Sequence, residues 1–270
     1  MTRAKLKTPS QLDVASENRA YGDGVLAMVK ELHLSGFGKR YQEVRQDPTW
    51  LQLSSERQLF DLFKCEIAKR EANTVQKLYR RSNLPTELLH AVFEDIYEDN
   101  GRVWDKRVLG LIRMGDWMTR EGPADLIISG PCGVGKSYLA ACCVNFMINH
   151  KKSAYFVRAG RLFTDLRLHR NRDTIEKRKQ ELKKIGLLVL DDFLIEDLSE
   201  EDCADLLDII NDRCRNRPTI FTSQFKLEGW LERLGNTPLS QAVLDRISHS
   251  AYKIHIEGPS LRLNVNQDNL

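Results

Sequence analysis

GPCGVGKSYLAACCVNFM, residues 130–147, begins with Gly130-Pro131-Cys132-Gly133-Val134-Gly135-Lys136-Ser137, which fits the spacing G-x4-G-K-[ST]. The apolar run ADLIIS (124–129) before it reads as a short buried strand, and the residues after it read as a helix to about His150. Glycines in such a loop let backbone N–H groups turn inward around phosphate oxygens, and the helix N-terminus adds a favourable dipole. Lys136 is placed to neutralise the outer phosphates and the Ser137 hydroxyl to ligate Mg²⁺, with Tyr138 next in line at the site. The stretch predicts a site for ATP with Mg²⁺.

Further along, the pattern alternates. SAYFVR (153–158), GLLVLDDF (186–193), PTIFTSQ (218–224) and AYKIHI (251–256) read as strands. Between them, GRLFTDLRLH, DTIEKRKQELKK, SEEDCADLLDIINDRCRN and the stretch from Leu227 to about Ser248 read as helices. Ser199 opens the third of these with Asp202 in the place of a capping-box Glu. Strands alternating with helices predict a five-stranded parallel sheet covered on both faces, an α/β core.

In LLVLDDF, Asp191 emerges at the carboxyl end of a buried strand, where ligands of open α/β sheets collect. It is expected to hold Mg²⁺, and Asp192 to orient or deprotonate an attacking water. At the end of PTIFTSQ, Gln224, with Ser223 as second choice, is placed to feel the γ-phosphate. Arg246 in VLDRISH is a candidate for an arginine supplied to a neighbour, against an internal ion pair with Asp245 or another acid. Arg213 is a lesser candidate for the same duty.

Before the loop, VLAMVKELHLSGFGKRYQEV reads as a helix, a glycine-containing break and more helix, after about 20 polar residues expected to be loose. Ser55 is the expected cap of a long helix reaching Arg81, which Pro85 follows closely. Phe60, Phe63, Ile67 and Leu78 fall on one side of it, and Arg70, Lys77 and Arg81 on a neighbouring stripe. The expected organisation is an all-helical domain at 1–84 and an ATPase core at 85–270.

The chain has 270 residues and a net charge of +3, but its charge is segregated. Twelve Lys/Arg face four Asp/Glu between Lys151 and Lys184, and ten acids stand with no base between Asp191 and Asp212. A smaller basic segment runs from Lys64 to Arg81. This suits a polyanion on one surface and a sister subunit on another. Lys69, Arg70, Lys77, Arg80, Arg81, Lys177, Lys183 and Lys184 are the candidate DNA contacts, reaching the backbone with little sequence preference. No apolar run approaches the ~20 residues of a membrane span. Six cysteines without CxxC or histidine spacing argue against zinc, and the reading is a reduced, cytoplasmic protein.

With these pieces in order, the chain resembles the IstB-like ATPases, transposition helpers of insertion sequences related to DnaC-type helicase loaders within AAA+. The resemblance rests on GPCGVGKSYLA, LLVLDDF, TIFTSQ, the run from Trp230 to His249, IEGPSLR (256–262), LHLSGF and the spacing of Glu66, Arg70 and Glu71. It implies an AAA+ P-loop core lacking a full C-terminal lid. It also implies an ATP-dependent oligomer that binds DNA and recruits or activates a transposase. By motif position it implies nucleotide contacts from residues 130–138, metal and water-activating places for Asp191 and Asp192, a first sensor at Gln224 and an inter-subunit finger at Arg246. Arg262 is implied to approach nucleotide or a neighbour. Two positions depart from the family: Cys132 stands where Thr or Pro is common, and Leu194 replaces the usual glycine after the acids, which bears on the local turn. The alternatives are a replicative helicase loader, a scaffold that binds DNA without hydrolysis, and a P-loop metabolite kinase, which would need an acceptor pocket.

Overall fold

The computed structural model describes residues 11–96, 101–122, 124–249 and 251–261, with side chains from Ala20 onward. The chain divides into two compact units, Met1–Gln76 and Lys77–Leu270, so the division falls inside a helix, ahead of the boundary expected at residue 84.

The first unit is helical: α1 (Gln11–Glu31), α2 (Ser35–Val44), α3 (Pro48–Leu51) and the start of α4 (Ser55–Ser82). Residues 11–20, expected to be loose, are helical. The break falls at Leu32–Leu34, where His33 has φ +54°, and Gly36 of LHLSGF, like Gly38 after it, lies inside α2. Ser54, not Ser55, receives an N–H at the start of α4, from Arg57.

The LHLSGF and Glu66/Arg70 signatures are one device. Glu66 Oε2 accepts the N–H groups of Gly36 and Phe37 at 2.7 and 3.1 Å, capping α2 from another helix. Arg70 Nε holds the other carboxylate oxygen at 2.7 Å. A Cβ on Gly36 would lie 2.7 Å from the Cys65 carbonyl oxygen, so glycine is what lets the helices close. The core here is Val29, Phe37, Val44, Trp50 and Leu62. Phe60, Phe63 and Ile67, expected on the apolar face, are 63, 50 and 58 % exposed; α4 turns the stripe beside them, Leu62 and Glu66, inward.

The second unit takes the end of α4, then single turns at Thr86–Leu88 and Phe93–Asp95, then α5 (Lys106–Met114) and α6 (Asp116–Thr119). The two helices were missed in the sequence, although Asp105 caps α5 and Gly115, at φ +74°, ends it. Next come β1 (Leu126–Ser129), α7 (Lys136–Asn149), β2 (Ala154–Arg158), α8 (Ala159–Arg170), α9 (Ile175–Lys184) and β3 (Leu187–Asp191). The last elements are α10 (Glu200–Arg213), β4 (Thr219–Ser223), α11 (Trp230–Arg233), α12 (Pro238–Ser248) and β5 (Tyr252–His255). The expected helix from 227 is thus two, divided where Gly235 and Asn236 take positive φ and Thr237 caps α12.

All five strands are parallel in the order β2-β3-β4-β1-β5, with helices on both faces, as expected. β1 and β3 are buried along their whole length, as strands covered on both sides must be. Leu188, Leu190 and Phe221 pack against Leu162, Phe163, Leu206, Ile209, Trp230 and Val243 from the helices between α8 and α12. The predicted capping box forms: Asp202 N donates to Ser199 Oγ, and the Asp202 carboxylate accepts from Ser199 N.

The segregated charges meet inside the chain, which corrects the reading of two separate surfaces. α9 lies against α10. Lys179 reaches Glu176 at 2.6 Å and Asp208 at 3.0 Å, and Lys183 reaches Asp208 at 2.8 Å and Asp212 at 3.1 Å. Arg167 pairs with Asp202, and Arg170 with Glu201 and Asp205. The α10 part of the acidic run is thus an internal counter-ion for Arg167 and Arg170 of α8 and for Lys179 and Lys183 of α9. Lys183 is buried in these pairs and drops out of the DNA candidates, whereas Lys177 and Lys184 are exposed.

Asp125 sits under the sheet with Oδ1 accepting Thr219 N at 2.7 Å. Burial pushes its pKa from 3.8 up to about 6, against the pull of that N–H and of the Arg213 charge. The folded state therefore holds this proton more tightly than the unfolded chain. The associated stability is present below pH ~4 and is lost as pH rises through ~6, about 3 kcal/mol in all. Asp125→Asn keeps an acceptor for Thr219 and has no proton to lose. The urea midpoint of the variant should gain on the wild type steadily between pH 4 and 7; a constant difference would refute the assignment.

Candidate nucleotide site

The loop joining β1 to α7 turns through Gly130, Gly133 and Gly135 at φ +146°, +81° and +101°. Val134 is fully buried and pins the loop from beneath, whereas Cys132 stands exposed on the cleft. Gly135 leads into α7, so Lys136 and Ser137 are its first residues. Lys136 is buried, and its Nζ donates to the Gly130 and Pro131 carbonyl oxygens at 2.8 and 2.7 Å. The lysine is thus folded onto its own loop, its charge spent on two carbonyl dipoles that a phosphate oxygen can replace.

The Ser137 hydroxyl donates to Asp191 Oδ1 at 2.8 Å. Thr222 Oγ1 donates to the same oxygen at 2.6 Å and accepts Asp192 N at 3.0 Å. Thr222 therefore fixes both acids, a role the sequence reading missed. The polar residues of TIFTSQ were the signal, since Thr222 faces β3 two places before Gln224. Burial raises the pKa of Asp191, and its bonds from Thr222 and Ser137 oppose that rise.

Beyond Asp191 the strand turns sharply. Asp192 has φ +56° and Leu194 has φ +63°, and both line the cleft. Leu194 thus adopts the left-handed backbone that glycine takes without penalty, at a cost of about 1–2 kcal/mol. Its side chain is buried beside Phe193, Cys203 and Trp230, which offsets that cost.

The cleft, about 1540 Å³, is lined by Cys132, Gly133, Gly135, Lys136, Ser137, Tyr138, Asp191, Asp192 and Gln224, which brings most of the predicted residues together. Tyr138 donates its hydroxyl to Asp95 at 3.2 Å and accepts Val92 N, tying α7 to the segment before α5. Ser223, the second choice for sensor, is buried and donates to the Phe193 carbonyl, so it is not available to a ligand. Arg246 is exposed in the last turn of α12, outside the cleft lining. Its Nε donates to Asn211 Oδ1 at 2.7 Å, not to Asp245. Arg213 is wholly buried and donates to the carbonyls of Leu182, Ile185 and Pro218 and to Thr219 Oγ1, so it cannot serve a neighbouring molecule. Arg262 lies outside the described residues.

The family model described as IstB-like ATP binding protein matches residues 27–269. The chain belongs to that family. An insertion sequence ATP-binding protein of Sinorhizobium fredii is 33 % identical to this IstB-like chain over 88 % of its length and 96 % of the relative's. One from IS1162 of Pseudomonas fluorescens is 31 % identical, covering 74 % of the chain and 84 % of the relative. Among solved structures, DnaI is 25 % identical with a TM-score of 0.57, covering 66 % of this chain and 96 % of DnaI. AMPPCP-bound DnaA from Aquifex aeolicus, 16 % identical with a TM-score of 0.54 over 70 % of this chain and 56 % of that one, shares the fold. The IstB-like core is thus a P-loop AAA+ fold, and its cleft matches the family's ATP-binding role.

Proposed function

We propose that this chain is an ATP-hydrolysing assembly factor. It forms an oligomer on DNA and recruits or activates a transposase, as the insertion-sequence names of its relatives suggest. The observation that carries the proposal is the network of Ser137, Asp191 and Thr222 beside Lys136, with Arg246 exposed outside the same chain's cleft.

The donors fit Mg²⁺: an oxygen-only pair, the Ser137 hydroxyl and the Asp191 carboxylate, leaves positions for substrate phosphates and water. Ser137 and Asp191 would hold it, and when bound it supplies charge neutralisation along the phosphates. Lys136 exchanges its two loop carbonyls for the outer phosphate oxygens of ATP. Asp192, in its left-handed turn, accepts a proton from the attacking water, and Gln224 orients that water at the γ-phosphate. ADP and phosphate are the products, and loss of the γ-phosphate that a neighbour's Arg246 grips loosens the assembly.

Lys69, Arg70, Lys77, Arg80, Arg81, Lys177 and Lys184, all exposed, are the proposed contacts to the DNA backbone. Arg70 also pairs with Glu66, so its charge is divided between that carboxylate and the DNA. Exposed Phe60, Phe63 and Ile67 suit the helical unit to partner docking. No described helix is long and apolar enough to cross a membrane, and the proposed place of action is the cytoplasm. A helicase-loader role is less favoured, because the insertion-sequence relative spans 88 % of the chain and DnaI 66 %.

Sizing the protein with ATP, with ADP and with duplex DNA tests the proposal, alongside Asp192→Asn. The wild type should assemble with ATP on DNA and release phosphate. The variant should assemble as well but turn over more slowly by at least ~10²-fold. A wild type that stays monomeric on duplex with every nucleotide would sink the proposal. Assembly without any phosphate release would leave the non-hydrolysing scaffold.

A further inference from the structure

The outer side of the phosphate loop is backed by residues 101–104 and 256–261, joined where Val103 and Glu257 exchange two N–H···O bonds of 2.9 Å. The loop glycines are fitted to this backing. A Cβ on Gly130 would lie 2.2 Å from the Ile256 carbonyl oxygen, and one on Gly133 would lie 2.0 Å from Ser260 Oγ. Leu261 N donates to the Gly133 carbonyl at 3.0 Å. Gly135 differs, because the atom nearest to its absent Cβ is Arg102 Nη1, at 3.2 Å. A guanidinium thus comes forward from the backing to the residue that precedes Lys136, and Arg102 lines the cleft.

Trp104 and Gly258 adjoin it. Its guanidinium carbon stacks 4.7 Å from the centre of the Trp104 ring, and Gly258 leaves it room, since a Cβ there would lie 3.2 Å from Arg102 Cγ. Partial burial pulls its pKa below the usual arginine value. A cation held this way, with part of its hydration removed, is pre-organised for a polyanion. Ser137, which follows Lys136, meets Asp191 at the γ-phosphate end of the proposed site; Arg102 meets Gly135, which precedes Lys136, beside Leu261.

We propose that Arg102 is a second cationic nucleotide contact beside Lys136, gripping the part of the nucleotide that ATP and ADP share. The inference rests on the reading of the cleft as an ATP site. Trp104 and Gly258 act as positioning residues, through Arg102.

The test is titration of the full-length chain with fluorescent ATP and ADP analogues, comparing wild type, Arg102→Gln and Arg102→Lys. Losing a charge-assisted hydrogen bond should weaken both nucleotides by roughly 10- to 100-fold, leaving their affinity ratio unchanged. Arg102→Lys should recover part of the loss. In the wild type, mass spectrometry after phenylglyoxal treatment should show Arg102 shielded by ATP and ADP alike, a readout that does not depend on the variants folding. A folded Arg102→Gln chain with wild-type affinities, a loss confined to ATP, or no shielding would each overturn the proposal. A wild type that binds neither nucleotide would overturn the ATP-site reading instead.

Discussion

Arg246→Ala should leave the protein folded and able to bind ATP, and should slow hydrolysis by about 10³–10⁵-fold, the range seen where an arginine is supplied across an interface. The stability cost should stay within about 0.5 kcal/mol, because the side chain is exposed; its hydrogen bond to Asn211 is one that water can replace. The stronger form of the test is complementation. Arg246→Ala keeps its own acids, and Asp192→Asn keeps its arginine. In a mixed head-to-tail assembly about one junction in four joins an intact cleft to an intact arginine. Two separately inactive proteins should therefore regain a measurable part of the wild-type rate when mixed. If Arg246→Ala hydrolyses ATP normally, or if co-assembled variants stay silent, the arginine does not act in trans.

What made this site legible in the sequence was short-range order. GPCGVGKS and LLVLDDF each state their chemistry within eight residues, and the alternation of apolar runs with helical stretches placed both at the carboxyl edge of a parallel sheet. What the sequence hid was long-range partnership. A run of ten acids and a run of twelve bases look like two surfaces until the topology lays α9 against α10 and Lys179 and Lys183 close on Asp205, Asp208 and Asp212. The stripe of Phe60, Phe63 and Ile67 has helical period, but period alone does not say which of two adjacent stripes is buried. The answer lay in a polar contact, Glu66 on the α2 N-terminus, that no hydrophobic pattern reports. Thr222 and Arg102 were hidden for a related reason: each matters for what lies across from it.

The sequence makes Arg213 a lesser candidate for the duty given to Arg246, and substitution should separate the two most sharply. Arg213 ends α10 and crosses beneath the sheet, where its guanidinium serves the carbonyls of Leu182, Ile185 and Pro218 and the Thr219 hydroxyl. Burial lowers its pKa to about 9, opposed by the charge of Asp125, so it remains cationic at neutral pH. Arg213→Ala would leave three carbonyls and a hydroxyl without their donor, open a cavity at the end of α10 and strand Asp125 without its cation. Removing one member of such a buried set costs about 3–5 kcal/mol. For a unit of this size that is a fall in melting temperature of about 6–20 °C. Arg213→Lys should recover less than half of the loss, since one ammonium cannot span acceptors laid out for a planar fork. Calorimetry on the two variants beside Arg246→Ala decides the matter: a melting temperature for Arg213→Ala within 2 °C of wild type would mean that the arginine is not the brace described, and its burial would need another explanation.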